Sequence, residues 1–370
     1  MKLLSIKPVL EYYASCKEFA EALQINEKDL IITNEYIYQP FFGAMNLKAT
    51  VLYQEKYGLG EPSDEMAEKL YADMKGDFKR IIAIGGGTII DISKLYALKN
   101  VSPILDLFDR KLEFIKDKEL ILVPTTCGTG SEVTNISILE LKSRHTKMGL
   151  ATDELFADMA VMIPELLDGL PFKFFATSSV DALIHAYESY LSPKSSPYTE
   201  LFAREAISLI LKGYMEIAKN GEEARKPLLK DFLFASNYAG VAFGNAGVGA
   251  VHAMSYPLGG TYHVPHGEAN YALFVGICKA YQKANPTGKI REVNKIICDI
   301  LGCTEAVVYE ELEKLLNAII QRKPLREYGV TKEDLDAFTE NVMTKQGRLT
   351  ANNYVPMDAA AVKAVYEELY

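Results

Sequence analysis

The strongest constraint on this chain is a change of rhythm along it. In the first half, short apolar runs recur, each ended by turn formers: LIIT at 30–33, ATVLYQ at 49–54, RIIAI at 80–84, ELILV at 119–123 and MAVMI at 159–163. Stretches with helical spacing, such as DEMAEKLYADMK at 64–75, separate them. Strand–helix–strand repetition makes βαβ units and a parallel sheet. The runs are almost continuously apolar, as strands covered on both faces must be. From about Phe175 the β runs fade, and residues 201–218 and 308–320 carry apolar residues at helical period. The expected fold is an α/β domain with a Rossmann-like parallel sheet over residues 1–175, followed by an all-α domain over 176–370. A length of 370 residues agrees with two domains.

Composition narrows the function classes. A net charge of −9 argues against nucleic acid as the main partner, because phosphate neutralisation needs clustered Lys and Arg. Lys7 and Pro8 interrupt the N-terminal apolar run before a signal-peptide core forms. No stretch of about 20 apolar residues lacks turn formers, so no membrane span is expected. The nearest candidate, residues 238–258, reads as a packed helix rich in Gly and Ala. Five cysteines, an odd number in a large chain, make no disulfide framework and imply reduced thiols in the cytoplasm.

Two loops follow apolar runs. In RIIAIGGGTIIDISKLYAL, Gly85, Gly86 and Gly87 permit a sharp turn and close approach of a ligand, and Thr88 is placed to cap the next helix. Free N–H groups at that helix start favour an anion such as a pyrophosphate. The spacing is not the G-x-G-x-x-G fingerprint, and a tight turn without a ligand is the alternative reading. In ELILVPTTCGTGSEVTN, a second small-residue turn runs from Thr125 to Ser131. Ligands in α/β sheets sit beyond the carboxyl ends of strands, so the two loops could line one cofactor crevice. Cys127, with no base identifiable nearby, reads as a small spacer.

Of the five histidines, four lie within residues 185–266. Asp181 and His185, four apart in SSVDALIHAYESY, share one face of a helix. His252 stands in VGAVHAMSYPLGG and His266 in TYHVPHGEAN, each near glycine. One carboxylate and three imidazoles suit Fe(II), Zn(II), Co(II) or Mn(II). A D-x-x-x-H pair alone is more often a capping or core hydrogen bond. The phosphate-type loops strengthen the metal reading, since both features belong in one active cleft.

Taken together, GGGTIID at 85–91, PTTCGTGSEVT at 124–134, DALIHAYESY at 181–190 and HAMSYPLGGTYHVPHG at 252–267 resemble the iron-containing (group III) alcohol dehydrogenase family over nearly the whole chain. Within it the resemblance is nearest to the branch acting on 4-hydroxybutyrate. It implies a dinucleotide-binding N-terminal domain, a helical metal-binding and catalytic domain, and a dehydroquinate synthase-like architecture. It implies metal ligation by Asp181, His185, His252 and His266, pyrophosphate contacts from Gly86, Gly87 and Thr88, and cofactor contacts from Thr125, Thr126 and Thr129. Lys147 matches a family lysine near the cofactor ribose. One divalent metal, Fe(II) favoured and Zn(II) the alternative, and a dimeric or higher homo-oligomer follow from the same likeness.

Two positions depart from the family pattern. An acidic residue often follows the second strand, where it would meet the adenosine ribose; here that place is Asn34. NAD(H) is therefore the expected cofactor with NADP(H) left open. A family histidine four residues after His252 is replaced by Tyr256, a poor proton shuttle at neutral pH. Tyr256 and His263 remain the candidates for a proton relay. The expected reaction interconverts a short primary alcohol and its aldehyde, 4-hydroxybutyrate and succinate semialdehyde first, with 1,3-propanediol or lactaldehyde as the runner-up. Two rival functions make different demands on the sequence. A metal- and NAD-dependent cyclase would want Lys and Arg beside the ligands, yet 177–190 and 248–270 contain none. A non-catalytic dinucleotide sensor has no need of four converging ligands.

Overall fold

The computed structural model describes residues 3–144 and 146–370; His145 lies outside the described residues. The chain divides into two compact units, Ile6–Leu170 and Pro171–Tyr370. Residues 3–5 belong to the second unit, not to the α/β domain that the sequence reading begins at residue 1. They are held there by the Ser5 N–H, which donates to Asn245 Oδ1 at 2.7 Å.

The first unit is built on a sheet of β1 (Val9–Tyr12), β2 (Asp29–Thr33), β3 (Thr50–Tyr53), β4 (Arg80–Gly85), β5 (Glu119–Pro124) and, later in the chain, β8 (Met159–Met162). Its order is β1-β8-β5-β4-β2-β3, and every pairing is parallel. The five expected runs are five of these strands. The sixth, β1, is an edge strand with Val9, Leu10 and Tyr12 exposed. It lacks the uninterrupted apolar signal of strands covered on both faces. A hairpin of β6 (Ile136–Leu141) and β7 (Thr146–Ala151) also escaped the sequence reading. Burial alternates along β6, so it carries a period-two signal and not a continuous one. Helices α1 (Cys16–Leu23), α2 (Glu35–Phe42), α3 (Asp64–Ala72), α4 (Gly87–Tyr96) and α5 (Ile104–Phe108) complete this unit. Ile81, Ala83, Leu120 and Leu122 of the central strands are fully buried in one core with Ile89, Ile92 and Leu95 of α4. Each such aliphatic side chain contributes roughly 1.5–3 kcal/mol on burial.

The second unit is helical: α6 (Phe172–Leu191), α7 (Pro197–Asn220), α8 (Leu229–Ala246), α9 (Ala250–Tyr262), α10 (His266–Ala284), α11 (Lys289–Leu301), α12 (Val308–Ile319), α13 (Lys332–Lys345), α14 (Gly347–Thr350) and α15 (Ala359–Leu369). Helix α6 is its axis. From Ser179 to Leu191 every residue is buried, packed by α7, α8 and α10. The span 238–258, read from sequence as one packed helix, is two helices. Gly247 breaks it at φ 78°, a left-handed value that favours glycine, and α9 restarts at Ala250. No helix among the described residues is long and apolar enough to cross a membrane. All five cysteines are free thiols.

Candidate metal centre and cofactor loops

Three helices of the second unit carry the expected ligands. Asp181 and His185 are one turn apart on α6, with Glu188 on the same stripe a turn further on. His252 lies in the first turn of α9, and His266 opens α10. Glycine permits the docking of α10 on α6: a Cβ at Gly267 would stand 2.1 Å from the Thr177 carbonyl oxygen. No other residue allows His266 to reach Asp181 with this backbone.

The four side chains converge. One ligand atom from each of Asp181, His185, His252 and His266 lies within 4.8 Å of the other three. His252 Nε2 is 3.7 Å and His266 Nε2 3.8 Å from Asp181 Oδ1, and His185 Nδ1 is 3.8 Å from Asp181 Oδ2. Four tetrahedral ligands at about 2.0–2.2 Å from one ion stand roughly 3.3–3.6 Å apart, so the donor set fits a divalent metal in chemistry, and its 3.7–3.8 Å separations are slightly wider than a bound ion would draw them. Asp181, His185 and His252 are buried, whereas His266 is about one-third exposed at 34%. The open side of the centre is therefore at His266.

The supporting groups fix each donor. Glu188 accepts the Val251 backbone N–H at 2.7 Å and the His252 Nδ1 proton at 2.6 Å. A carboxylate only accepts, so Nδ1 carries the proton and Nε2 presents its lone pair to the cluster. The ring of His185 is stacked between Phe243 at 4.3 Å and His252 at 4.6 Å. Asn270, fully buried one turn beyond His266, donates from Nδ2 to Asp181 Oδ1 at 2.7 Å, and the same nitrogen lies 3.2 Å from both His252 Nε2 and His266 Nε2. Burial pushes the Asp181 carboxyl upward, but the three imidazoles and the Asn270 amide outweigh it and hold the group below the ordinary carboxylate range. An ionised carboxylate is the form a metal requires.

The proton-relay candidates are placed differently. Tyr256 lies near the centre, its ring centroid 6.1 Å from that of His266. His263 ends α9 in the left-handed conformation, exposed, and is not one of the four converging groups. Arg144 is paired with Asp109, and Arg326 donates to the Tyr370 carbonyl oxygen.

In the first unit the two loops expected to face a cofactor touch each other. They leave adjacent strands, β4 and β5, at their carboxyl ends. Thr125 N–H donates to the Gly85 carbonyl at 3.1 Å. A Cβ at Gly87 would lie 2.8 Å from Thr129 Cγ2, and one at Gly86 3.4 Å from Thr126 Cγ2, so small residues let the loops meet. Thr88 does not cap α4. Gly86 holds the cap position in an extended conformation, and the Thr88 hydroxyl donates to the Gly60 carbonyl at 3.1 Å. The first-turn N–H groups of α4 keep no side-chain cap, which suits an anion. Lys147 is ion-paired with Glu61, and Cys127 is buried.

A buried cation that the sequence reading passed over locks this arrangement. Lys94 on α4 is fully buried, and its Nζ donates to Ser131 Oγ at 2.5 Å, Thr134 Oγ1 at 3.1 Å and the Ile136 carbonyl at 2.6 Å. Asp91 lies 3.5 Å from the same ammonium and accepts from the Ser131 hydroxyl and the Ile138 N–H. Burial lowers the Lys94 pKa against the pull of Asp91. The helix of the first loop is thus bonded to the end of the second. Glu188, Asn270, Asp91 and Lys94 all stand at helical spacing from motif residues, and that spacing is the signal by which they could have been found.

Residues 12–164 match the model of the iron-containing alcohol dehydrogenases, and residues 175–370 match the C-terminal part of the Fe-containing alcohol dehydrogenase family. The chain belongs to the iron-containing alcohol dehydrogenase family. It is an alcohol dehydrogenase, an oxidoreductase, of that family, which decides against the cyclase and sensor readings. This dehydrogenase is 52% identical, over the whole of both chains, to a 4-hydroxybutyrate dehydrogenase of Clostridium kluyveri. It is 33% identical to long-chain-alcohol dehydrogenase 1 of Geobacillus thermodenitrificans over 92% of this chain and 89% of that one. A sulfoacetaldehyde reductase from Bifidobacterium kashiwanohense, solved with NAD+, shares the fold at a TM-score of 0.86 and 23% identity, covering 100% of this chain and 99% of that one.

Proposed function

We propose that this dehydrogenase interconverts 4-hydroxybutyrate and succinate semialdehyde with NAD(H), using one divalent ion held by Asp181, His185, His252 and His266. The observation that carries the chemistry is the convergence of these four donors. The full-length 52% identity to a 4-hydroxybutyrate dehydrogenase supports the substrate. When bound, the ion supplies Lewis acidity to the alcohol or aldehyde oxygen, and the nicotinamide carries the hydride.

The chain's own residues do the rest. Asp181 brings the negative charge, and Glu188 keeps Nε2 of His252 free to ligate. Phe243 and His252 hold the His185 ring between them. Exposure at His266 leaves that side for substrate and for water that carries the proton, with Tyr256 beside it. Gly86, Gly87 and Thr88 take the pyrophosphate, Thr125, Thr126 and Thr129 face the cofactor from the second loop, and Lys147 and Asn34 stand toward its ribose groups. The α/β unit, Ile6–Leu170, is read as the dinucleotide domain and the helical unit, Pro171–Tyr370, as the metal domain. The five free thiols support a cytoplasmic setting, and the family likeness supports a homo-oligomer.

The test is to reconstitute the protein with Fe(II) and follow NADH consumption with succinate semialdehyde, propionaldehyde and lactaldehyde. Metal-dependent oxidation fastest with succinate semialdehyde is the expected result. Turnover of the neutral aldehydes only would remove the 4-hydroxybutyrate assignment and keep the dehydrogenase.

A further inference from the structure

Asn34 stands where an acidic residue is expected at the end of β2, and the structure brings a carboxylate to it from just beyond β3. Thr33 and Tyr53 are paired at the ends of β2 and β3, so the residues just beyond them emerge side by side. Asn34, buried at the end of β2, does not cap α2 with its side chain. Its Nδ2 instead donates to Glu55 Oε2 at 2.9 Å and to Gln54 Oε1 at 3.2 Å. The other Glu55 oxygen accepts the Glu35 backbone N–H, the first of α2, at 2.7 Å. Glu55 is half-buried, and no Lys or Arg among the described residues is ion-paired with it. Its carboxylate is aimed by two neutral donors, the Asn34 amide and the Glu35 N–H.

Strand β2 lies next to β4, whose carboxyl end carries the glycine loop. A dinucleotide with its pyrophosphate on that loop extends its adenosine ribose past the end of the adjacent strand, where an acidic side chain binds the ribose hydroxyls. We propose that Glu55, held by Asn34, is the residue that selects NAD(H) over NADP(H) in this protein. Its oxygens accept hydrogen bonds from the ribose diol and repel a 2′-phosphate, while Asn34 is a positioning residue. The inference rests on the NAD-linked reading and names the group that enforces it.

The test measures NADH and NADPH dissociation constants by nucleotide fluorescence on the metal-loaded protein, alongside competition by AMP and 2′-AMP. The wild type is expected to favour NADH and AMP. Glu55→Gln keeps the shape and an acceptor but removes the charge, and is expected to narrow the NADH preference roughly tenfold or more by tightening NADPH. Asn34→Asp combined with Glu55→Gln moves the charge to β2 and is expected to restore the preference. Glu55→Ser, read by the same ratio, serves if the glutamine variant folds poorly. An unchanged NADPH-to-NADH ratio in the Glu55 variants overturns the inference even if stability falls, because capping of α2 has no bearing on a 2′-phosphate. A wild type that binds neither nucleotide overturns the cofactor reading itself, and the inference with it.

Discussion

Glu188 and His252 are joined along one axis: the Nδ1 proton of His252 points at Glu188 Oε2, 2.6 Å away, and the opposite ring nitrogen faces Asp181. The carboxylate decides the tautomer, and the tautomer decides whether His252 is a ligand. Glu188→Gln should lower metal affinity roughly 10–100-fold. Competition with a chelator of known affinity measures this. A variant with a lowered melting temperature but an unchanged metal dissociation constant would assign Glu188 to packing alone.

Asp181→Ala and His266→Ala should each lose bound metal and turnover while remaining folded. Their stabilities should differ. Asp181 is buried, and its removal deletes its 2.7 Å hydrogen bond from the Asn270 amide, costing roughly 1.5–3 kcal/mol for a bond to a charged group. His266 is partly exposed, and its loss should be milder. Metal analysis, an activity assay and thermal melts on both variants check this. Full activity in a metal-free variant would remove the proposed chemistry.

Lys94→Met should destabilise the first unit by about 3–5 kcal/mol, because Asp91 is left without its buried counter-charge. The double variant Asp91→Asn with Lys94→Met should recover part of the loss. Denaturant titrations of the two single variants and the double one give the coupling. Strict additivity would mean that the two side chains act independently.

The Tyr262–Asp334 contact predicts a loss of stability at both ends of the pH range. The Thr331 hydroxyl and then the Tyr262 hydroxyl hold the Asp334 carboxyl below its ordinary range. A depressed folded pKa gives stability present above about 4 and lost as pH falls through the folded value. The hydrogen bond to Asp334 raises the Tyr262 phenol. A raised folded pKa gives stability present below about 10 and lost as pH rises through it. Melting temperatures of wild type and Tyr262→Phe should differ most between these limits and converge beyond them. A pH-independent difference would contradict the coupling.

The sequence by itself determined the parallel sheet, the helical second half and the pairing of Asp181 with His185 on one helix face. Buried parallel strands must be nearly continuous hydrophobes, and a D-x-x-x-H pair must share a helix face, so both are written in local order. It did not reveal β1 or the β6–β7 hairpin, since an edge strand and a half-covered ribbon need no continuous apolar run. Nor did it show that Gly247 divides residues 238–258, because a backbone angle follows from what the helix packs against. What only the tertiary structure decided is which distant side chains aim the chemistry. Glu188 fixes the tautomer of a histidine 64 residues away, Lys94 binds a loop 37–42 residues on, and Glu55 brings to the end of β2 the charge missing at Asn34. Hydrogen bonds act over about 3 Å of space and are indifferent to chain separation, so these partners become visible only when strands and helices are placed side by side.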